Sequence, residues 1–370
     1  MSRFKVLPVL VSLFFVPAAF AANPELPTTG LEERVDFWRK VFTQYGADDV
    51  VIHDQFYVNL IYGVASDKEL TSKTASVRAT LREIRDKIDT PEEFSPEARE
   101  MGEAIVAQGV VLTPKAINEL IVNIHTQRGI KERFRDGIIR SGRHVEEFRE
   151  ILKKSGVPEE LALLPLVESS FQNVRSRVGA VGMWQFTRST GKLYLKINNR
   201  VDERLDPVKS AQAAGRLLRS NYDALGEWPL AITAYNHGRA GMLRAQKAHG
   251  SNLVDIINDY EGPVFGYASM NFYAEFLAAV DVYNNYLAHF GELVLDRPNT
   301  PVKVAAKAAP ANSATKTTQA NASTPEKYKV KKGDSLWQVA QRFGTSIRSL
   351  MELNNLNETV IYAGQILLVR

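Results

Sequence analysis

The chain has 370 residues, 45% hydrophobic and 24% charged, with Lys and Arg exceeding Asp and Glu by four. That is long enough for two or three soluble domains, and no run of Lys and Arg marks a nucleic-acid surface. Cysteine is absent, which excludes disulfides, thiolate nucleophiles, cysteine zinc sites and an acylated N-terminal cysteine.

The first 21 residues, "MSRFKVLPVLVSLFFVPAAFA", read as a secretory signal: a basic start at Arg3 and Lys5, an apolar stretch from Val6 to Val16, and small residues at Ala19 and Ala21. Cleavage is expected after Ala21. Residues 22–130 are expected to form a mainly helical N-terminal region. In "LEERVDFWRKVFTQY", Val35, Trp38 and Phe42 make one apolar stripe, and Phe37, Val41 and Tyr45 a neighbouring one. The run "VVIHDQFYVNLIYGV" fits helix and strand equally, because continuous apolarity carries no period. A packing role is expected for this region.

Residues 131–296 continue in a helical pattern. "HVEEFREILKKSG" ends in Lys153, Lys154 and Gly156, a helix C-terminus. "VPEELALL" restarts with Pro158 at the first position, and Pro165 is expected to kink that helix just before Glu168. "EWPLAITAYNHG" predicts a helix entered at Pro229 and stopped by Gly238. Residues 297–327 hold no aromatic residue and are rich in Ala, Thr, Pro and Ser, so they read as a flexible linker. Residues 328–370 form a separate unit. "YKVK" and "ILLVR" suit strands flanking two helices. Leu336, Val339, Ala340 and Phe343 line the first helix, with Ser335 and Gln338 as a capping box and Gly344 as a stop. Ile347, Leu350 and Met351 line the second.

One acid stands out. In "LALLPLVESSF", Leu161 and Leu164 lie seven and four residues before Glu168, so on a helix the three share a face. An apolar setting disfavours the ionised carboxylate. A lone Glu in such a run more often ends a helix and turns to water. The six histidines, His53, His125, His144, His237, His249 and His289, show no metal-ligand spacing, and no metal or other cofactor is expected.

"LPLVESSF", "GAVGMWQFTRSTG" and "AYNHG" resemble, in order and spacing, the motifs of lytic transglycosylases with the goose-type lysozyme-like fold. "YKVKKGDSLWQVAQRFGTSIRSLMELNNL" with "IYAGQILLV" resembles a single LysM module. The pairing is similar to the membrane-bound lytic transglycosylase D group and covers roughly residues 134–290 and 328–370. The expected fold is therefore mainly α: a lysozyme-like helical catalytic domain behind a helical N-terminal region, plus a small βααβ LysM domain.

The resemblance implies a lyase that cleaves the β-1,4 bond between N-acetylmuramic acid and N-acetylglucosamine in peptidoglycan, leaving a 1,6-anhydro-muramyl end. Glu168 is the general acid and then the base. A carboxyl held against apolar side chains can have its pKa raised to about 6, which keeps it protonated as such chemistry needs. By the same resemblance Ser169 orients the acetamido group or Glu168, and Gly179 and Gly182 allow a tight turn. Met183, Trp184, Gln185 and Phe186 wall the cleft, Gln185 offering amide hydrogen bonds, and Tyr235 and Asn236 face the scissile bond. Core packing is the competing reading of Trp184, Phe186 and Tyr235. Where the family places a tyrosine, in an "N-Y-V-P-K"-like segment, this chain has "MNFYAEFLAA", with Phe272 at that position and Tyr273 beside it. Tyr273 is the candidate replacement.

The expected partners are peptidoglycan glycan strands in the cleft and N-acetylglucosamine-containing glycan at the LysM module, with no nucleic acid. The expected location is periplasmic and wall-associated, without a lipid anchor. Two other readings compete. A hydrolytic muramidase on the same fold would need a second carboxylate about 6.5–9.5 Å from the first, for which "NNRVDERLDP" offers Asp202, Glu203 and Asp206. A catalytically silent wall-binding scaffold would work through LysM alone.

Overall fold

A computed structural model describes residues 25–298 and, towards the C-terminus, residues 327–331, 339, 342, 343, 350, 351, 353, 354, 356, 361 and 364–369. The expected signal (1–21), most of the linker, and Ser335, Leu336, Gln338, Ala340, Gly344 and Ile347 of the LysM segment lie outside the described residues. Residues 25–298 belong to one compact unit and the described residues from 327 onward to another.

The first unit opens with α1 (Glu32–Thr43) and a hairpin of β1 (Val50–Asp54) and β2 (Ile61–Ala65). The helices α2 (Leu70–Asp86), α3 (Pro96–Ala107) and α4 (Pro114–Val122) follow, then β3 (Ile124–Arg128). The three strands form one antiparallel sheet in the order β2-β1-β3. The apolar run with no period is thus a strand pair, and β1 is buried at all five positions, which is why it shows no alternation. The sheet and α2–α4 enclose a small core around Ile52, Leu81, Ile84 and Ile105.

The remaining helices are α5 (Lys131–Ser141), α6 (Val145–Lys154), α7 (Leu164–Glu168), α8 (Arg188–Gly191), α9 (Pro207–Leu225), α10 (Trp228–His237), α11 (Arg239–His249), α12 (Leu253–Asp259), α13 (Tyr267–Asn284) and α14 (Tyr286–Phe290). Helix α1 shares their core rather than that of the sheet: Val35, Phe37, Trp38, Val41 and Phe42 are buried with Phe134, Phe148, Trp184 and Phe276. Both apolar stripes read in α1 therefore face inward, which suits a helix covered on two sides.

Polar contacts fix α13 against this N-terminal region. Arg34 donates to Asn271 Oδ1 at 3.0 Å, and Arg39 pairs with Asp281 at 2.6 Å. His53, fully buried, lies 4.4 Å from the Phe37 ring and 3.3 Å from the Tyr267 hydroxyl. Burial drives the His53 pKa down to about 3, so the imidazole is neutral and adds no buried charge. Residues 25–130 thus brace the long helix α13 in the C-terminal half of the unit.

In the second unit, β4 (Lys327–Lys329) and β5 (Ile366–Leu368) pair antiparallel, as the two apolar segments predict. Val330, Val339, Leu350, Leu367 and Val369 make its core. Asn354 extends the ladder with its side chain, donating to Leu368 O at 2.8 Å and accepting from Leu368 N at 2.6 Å.

Candidate active site

The acid sits at an abrupt end of helix. Helix α6 stops at Lys154, Gly156 takes φ +66°, and Pro158 leads into a 3-10 helix, Glu159–Leu163. Pro165 then occupies the first turn of α7. It starts a helix instead of kinking one, because a first-turn proline lacks only an N–H that would have no partner. Leu161 and Leu164 are fully buried, as the shared-face argument requires, although Leu161 belongs to the 3-10 segment.

Glu168 is the last residue of α7 and is partly exposed. Among the described residues its carboxyl has no hydrogen bond or ion pair. Burial among apolar neighbours pushes its pKa up to about 8. The chain then reverses through Ser170 (φ 53°) and Phe171 (φ 56°), and Gln185 (φ 46°) completes the set of non-glycine residues with positive φ among the described residues. All three lie in the motifs around the acid. Such backbone costs about 1–3 kcal/mol per residue and persists only where its surroundings enforce it. Here Arg133 Nε donates to Ser170 Oγ at 3.0 Å, Arg140 Nε donates to Ser170 O at 2.9 Å, and Phe171 is buried beside Phe148. Gly137 of α5 lets this turn approach, since a Cβ there would lie 3.0 Å from Ser170 Cβ.

The second motif is a tight hairpin beside the acid. Isolated bridges join Arg175 to Val181 and Val181 to Phe186, and Gly182 N donates to Val174 O at 2.9 Å. Ser169 ties the two motifs together: fully buried, it donates its hydroxyl to Met183 O at 2.8 Å. It is therefore a strut between backbones, with no free hydroxyl for a sugar acetamido group. Gln185 donates from Nε2 to Val174 O at 3.1 Å and Gly182 O at 2.7 Å. Two carbonyl acceptors fix which end of the amide is nitrogen, so Gln185 has its oxygen left to offer. Trp184 and Phe186 are buried in the core, and Met183 is 8% exposed.

Tyr235 donates its hydroxyl to Trp184 O at 2.7 Å and lies within electrostatic reach of Glu168, whose charge adds to the effect of burial in raising the tyrosine pKa. Asn236 is exposed and accepts from Ser269 Oγ at 2.9 Å through Oδ1, which leaves its amide N–H groups open. Tyr273 is not drawn to this group. It is 1% exposed and donates to Pro27 O at 2.9 Å, so its hydroxyl is engaged by the N-terminal segment.

The acidic segment after the hairpin is structural. Asp202 grips Arg204 through both oxygens, at 2.9 and 2.7 Å, which holds its carboxyl below the usual range. Glu203 accepts from Lys209 at 2.8 Å and from Lys196 N at 2.7 Å, and Asp206 caps α9 at Val208 N and Lys209 N. Arg204, 1% exposed, runs under the hairpin and donates to Phe186 O at 3.1 Å. Among the described residues no three His, Asp or Glu side chains are grouped to hold a metal ion.

One further acid, which the sequence reading does not single out, lies near Glu168. Glu275 of α13 lies within electrostatic reach of Glu168, and burial with that neighbouring charge pushes its pKa up to about 8. The signal for it was available: Glu275 is the lone acid in the apolar run "MNFYAEFLAAV", three residues past Phe272 and so on the same helix face.

The model of the transglycosylase SLT domain matches residues 147–257, and that of the LysM domain residues 328–370. The chain carries an SLT domain and a LysM domain. Over 101 residues it is 41% identical to the membrane-bound lytic murein transglycosylase D of Escherichia coli strain K12, covering 26% of this chain and 22% of that protein. The same figures hold for the enzyme of E. coli O6:H1. The N-acetylmuramoyl-L-alanine amidase sle1 of Staphylococcus saprophyticus is 46% identical over 52 residues, covering 14% of this chain and 16% of its own length. The chain thus spans about a fifth of the E. coli enzymes it matches. The SLT match takes in Glu168, the hairpin, and Tyr235 with Asn236, but ends ahead of α13 and Glu275.

Proposed function

We propose that this chain is a peptidoglycan lytic transglycosylase, cleaving the β-1,4 bond between N-acetylmuramic acid and N-acetylglucosamine with closure of a 1,6-anhydro ring. The observation that carries the reading is Glu168: a partly exposed carboxyl with no hydrogen bond or ion pair among the described residues, kept protonated to about pH 8 by burial, inside an SLT domain. Such a group can give a proton to a leaving oxygen at neutral pH, where an ordinary glutamate would already have lost it.

In this mechanism Glu168 transfers its proton to the glycosidic oxygen as the C1–O bond breaks, releasing the N-acetylglucosamine hydroxyl. The muramyl O6 then bonds to C1 and gives its proton to the Glu168 carboxylate, which restores the acid. No water enters. The Gln185 oxygen accepts hydrogen bonds from the sugars and the Asn236 amide donates to them, while Met183 and Gly182 shape the hairpin beside them. Ser169 and Tyr235 hold that hairpin against the acid through Met183 O and Trp184 O. The segment 202–206 offers the hydrolytic reading little support, since Asp202, Glu203 and Asp206 are all engaged within the protein. Mass analysis of products from purified murein sacculi tests the proposal. Fragments one water lighter than reducing-end muropeptides are expected. Reducing ends would assign a hydrolase, and no release a silent scaffold.

The second unit is proposed to bind N-acetylglucosamine-containing glycan and so hold the enzyme to the wall. Its support is the LysM match and the antiparallel β4–β5 pair. Tethering raises effective substrate concentration without new contacts at the scissile bond. Removing residues 297–370 is therefore expected to reduce co-sedimentation with sacculi while leaving the rate on short soluble glycan chains close to that of the full chain. Equal co-sedimentation of the two forms would refute the anchoring role.

A further inference from the structure

Helix α13 is buried at every position from Ser269 to Val282 except one, Glu275. In α7, which packs against it, Leu164, Pro165 and Leu166 are buried and the helix reaches solvent only at Val167 and Glu168. Within these buried stretches each helix therefore opens at a carboxyl. Like Glu168, Glu275 has no hydrogen bond or ion pair among the described residues. An unpartnered acid in a buried helix is costly and needs a use.

The charged and titratable groups around the pair are few. Arg133 of α5 acts on Glu275 but gives its Nε to Ser170 Oγ. Tyr267, in the first turn of α13, senses Glu275, and Tyr235 of α10 senses Glu168. From α1, Arg34 is engaged by Asn271 and Phe56 O, and Arg39 by Asp281. His237 of α10 and His289 of α14 are pushed down by burial, towards neutrality, and the 3-10 helix before α7 contributes Glu159 and Glu160. No cation forms a salt bridge with either carboxyl among the described residues.

We propose that Glu275 is a second working carboxyl of the cleft, coupled through space to Glu168 and acting on the reaction through it. The inference rests on the lytic reading above. Burial raises both groups, and the Glu168 charge opposes ionisation of Glu275. Repulsion between like charges is reciprocal, so the last proton of the pair leaves at higher pH than the first. When Glu168 has given its proton to the glycosidic oxygen, the carboxylate that remains faces a neutral Glu275 instead of a second charge. The O6 proton then returns to Glu168, and Glu275 ends the cycle as it began, with no net gain or loss.

The test is the alkaline limb of kcat/KM on short soluble glycan chains. In the wild type, the limb should be broader than loss of a single proton allows, because the paired charge retains the last proton. Glu275→Gln removes that charge, so Glu168 titrates alone. The limb should narrow to a one-proton fall and its midpoint should move down by about one pH unit. Glu275→Asp keeps a carboxyl and should keep the broad limb, a rescue that a merely structural role would not show. Circular dichroism and thermal melting establish that both variants are folded. Superimposed wild-type and Glu275→Gln profiles would overturn the proposal, as would complete loss of turnover in folded Glu275→Gln, which would mark Glu275 as a base. If the wild type releases no anhydro ends, the lytic reading fails. If it does and the profiles coincide, the role of Glu275 alone fails.

Discussion

Glu168→Gln is expected to abolish release of anhydro-ended fragments, with turnover falling by roughly a thousandfold or more, since one group serves as acid in the first step and base in the second. Glutamine keeps the shape and much of the polarity but can neither give nor take the proton. The carboxyl has no hydrogen-bond partner to lose among the described residues, so the backbone around Ser170 and Phe171 should stay as it is. Stability should change in a direction that burial dictates. The folded-state pKa of Glu168 lies near 8, above the ordinary value of 4.5, so the folded state holds a proton that the unfolded chain releases. Stability therefore falls as pH rises between these values, and it stays reduced above them. The amide does not titrate, so the variant lacks this pH dependence and should melt no lower than wild type at pH 5 and higher at pH 9. Near-wild-type turnover by the purified variant would remove Glu168 from the chemistry. A lower melting temperature at both pH values would show that the carboxyl supports the fold.

The parts of the site that are legible in the sequence are those fixed by local chemistry. The cap and stop residues around α10, the leucines before Glu168 and the strand pair β4–β5 each follow from neighbours within a few residues. What the sequence leaves out lies where partners are distant. Ser169 reads as a substrate contact, but its hydroxyl meets the Met183 carbonyl 14 residues on. Tyr273 reads as a replacement for the family tyrosine, yet its hydroxyl meets Pro27, 246 residues away, and no local pattern encodes that contact. The strand β1 escapes the sequence for a different reason. Continuous burial removes the alternation by which a strand announces itself, so "VVIHD" looks the same in either conformation. Glu275 falls between these cases. Its isolation in an apolar helix is visible, but its neighbour Glu168 comes from a separate motif, and only the packing of α13 on α7 brings them together.

The two glycines of "GAVG" should behave very differently when replaced by alanine, although they have nearly the same backbone. Gly179 takes φ +82° and Gly182 φ +87°, so alanine at either suffers the left-handed penalty of about 1–2 kcal/mol. The surroundings then decide. A Cβ at Gly179 meets nothing within 4 Å, whereas one at Gly182 would lie 1.9 Å from the carbonyl oxygen of Arg204. That oxygen is not free to move. Arg204 is almost fully buried, held by both Asp202 oxygens and by Phe186 O. Asn173 Nδ2 pins the next carbonyl, Leu205 O, at 2.6 Å. The hairpin must therefore shift, which breaks the Gly182 N bond to Val174 O and strains the links from Ser169 to Met183 O and from Tyr235 to Trp184 O. Gly182→Ala is expected to cost about 4 kcal/mol or more, lowering the melting temperature by roughly 10 °C, and to depress turnover even where the protein remains folded. Gly179→Ala should cost only about 1–2 kcal/mol and leave turnover nearly intact. Thermal melts and sacculus digestion of both variants check the pair. Equal, small effects would mean that the hairpin yields easily, and that its contact with the Arg204 backbone does not position the wall beside Glu168.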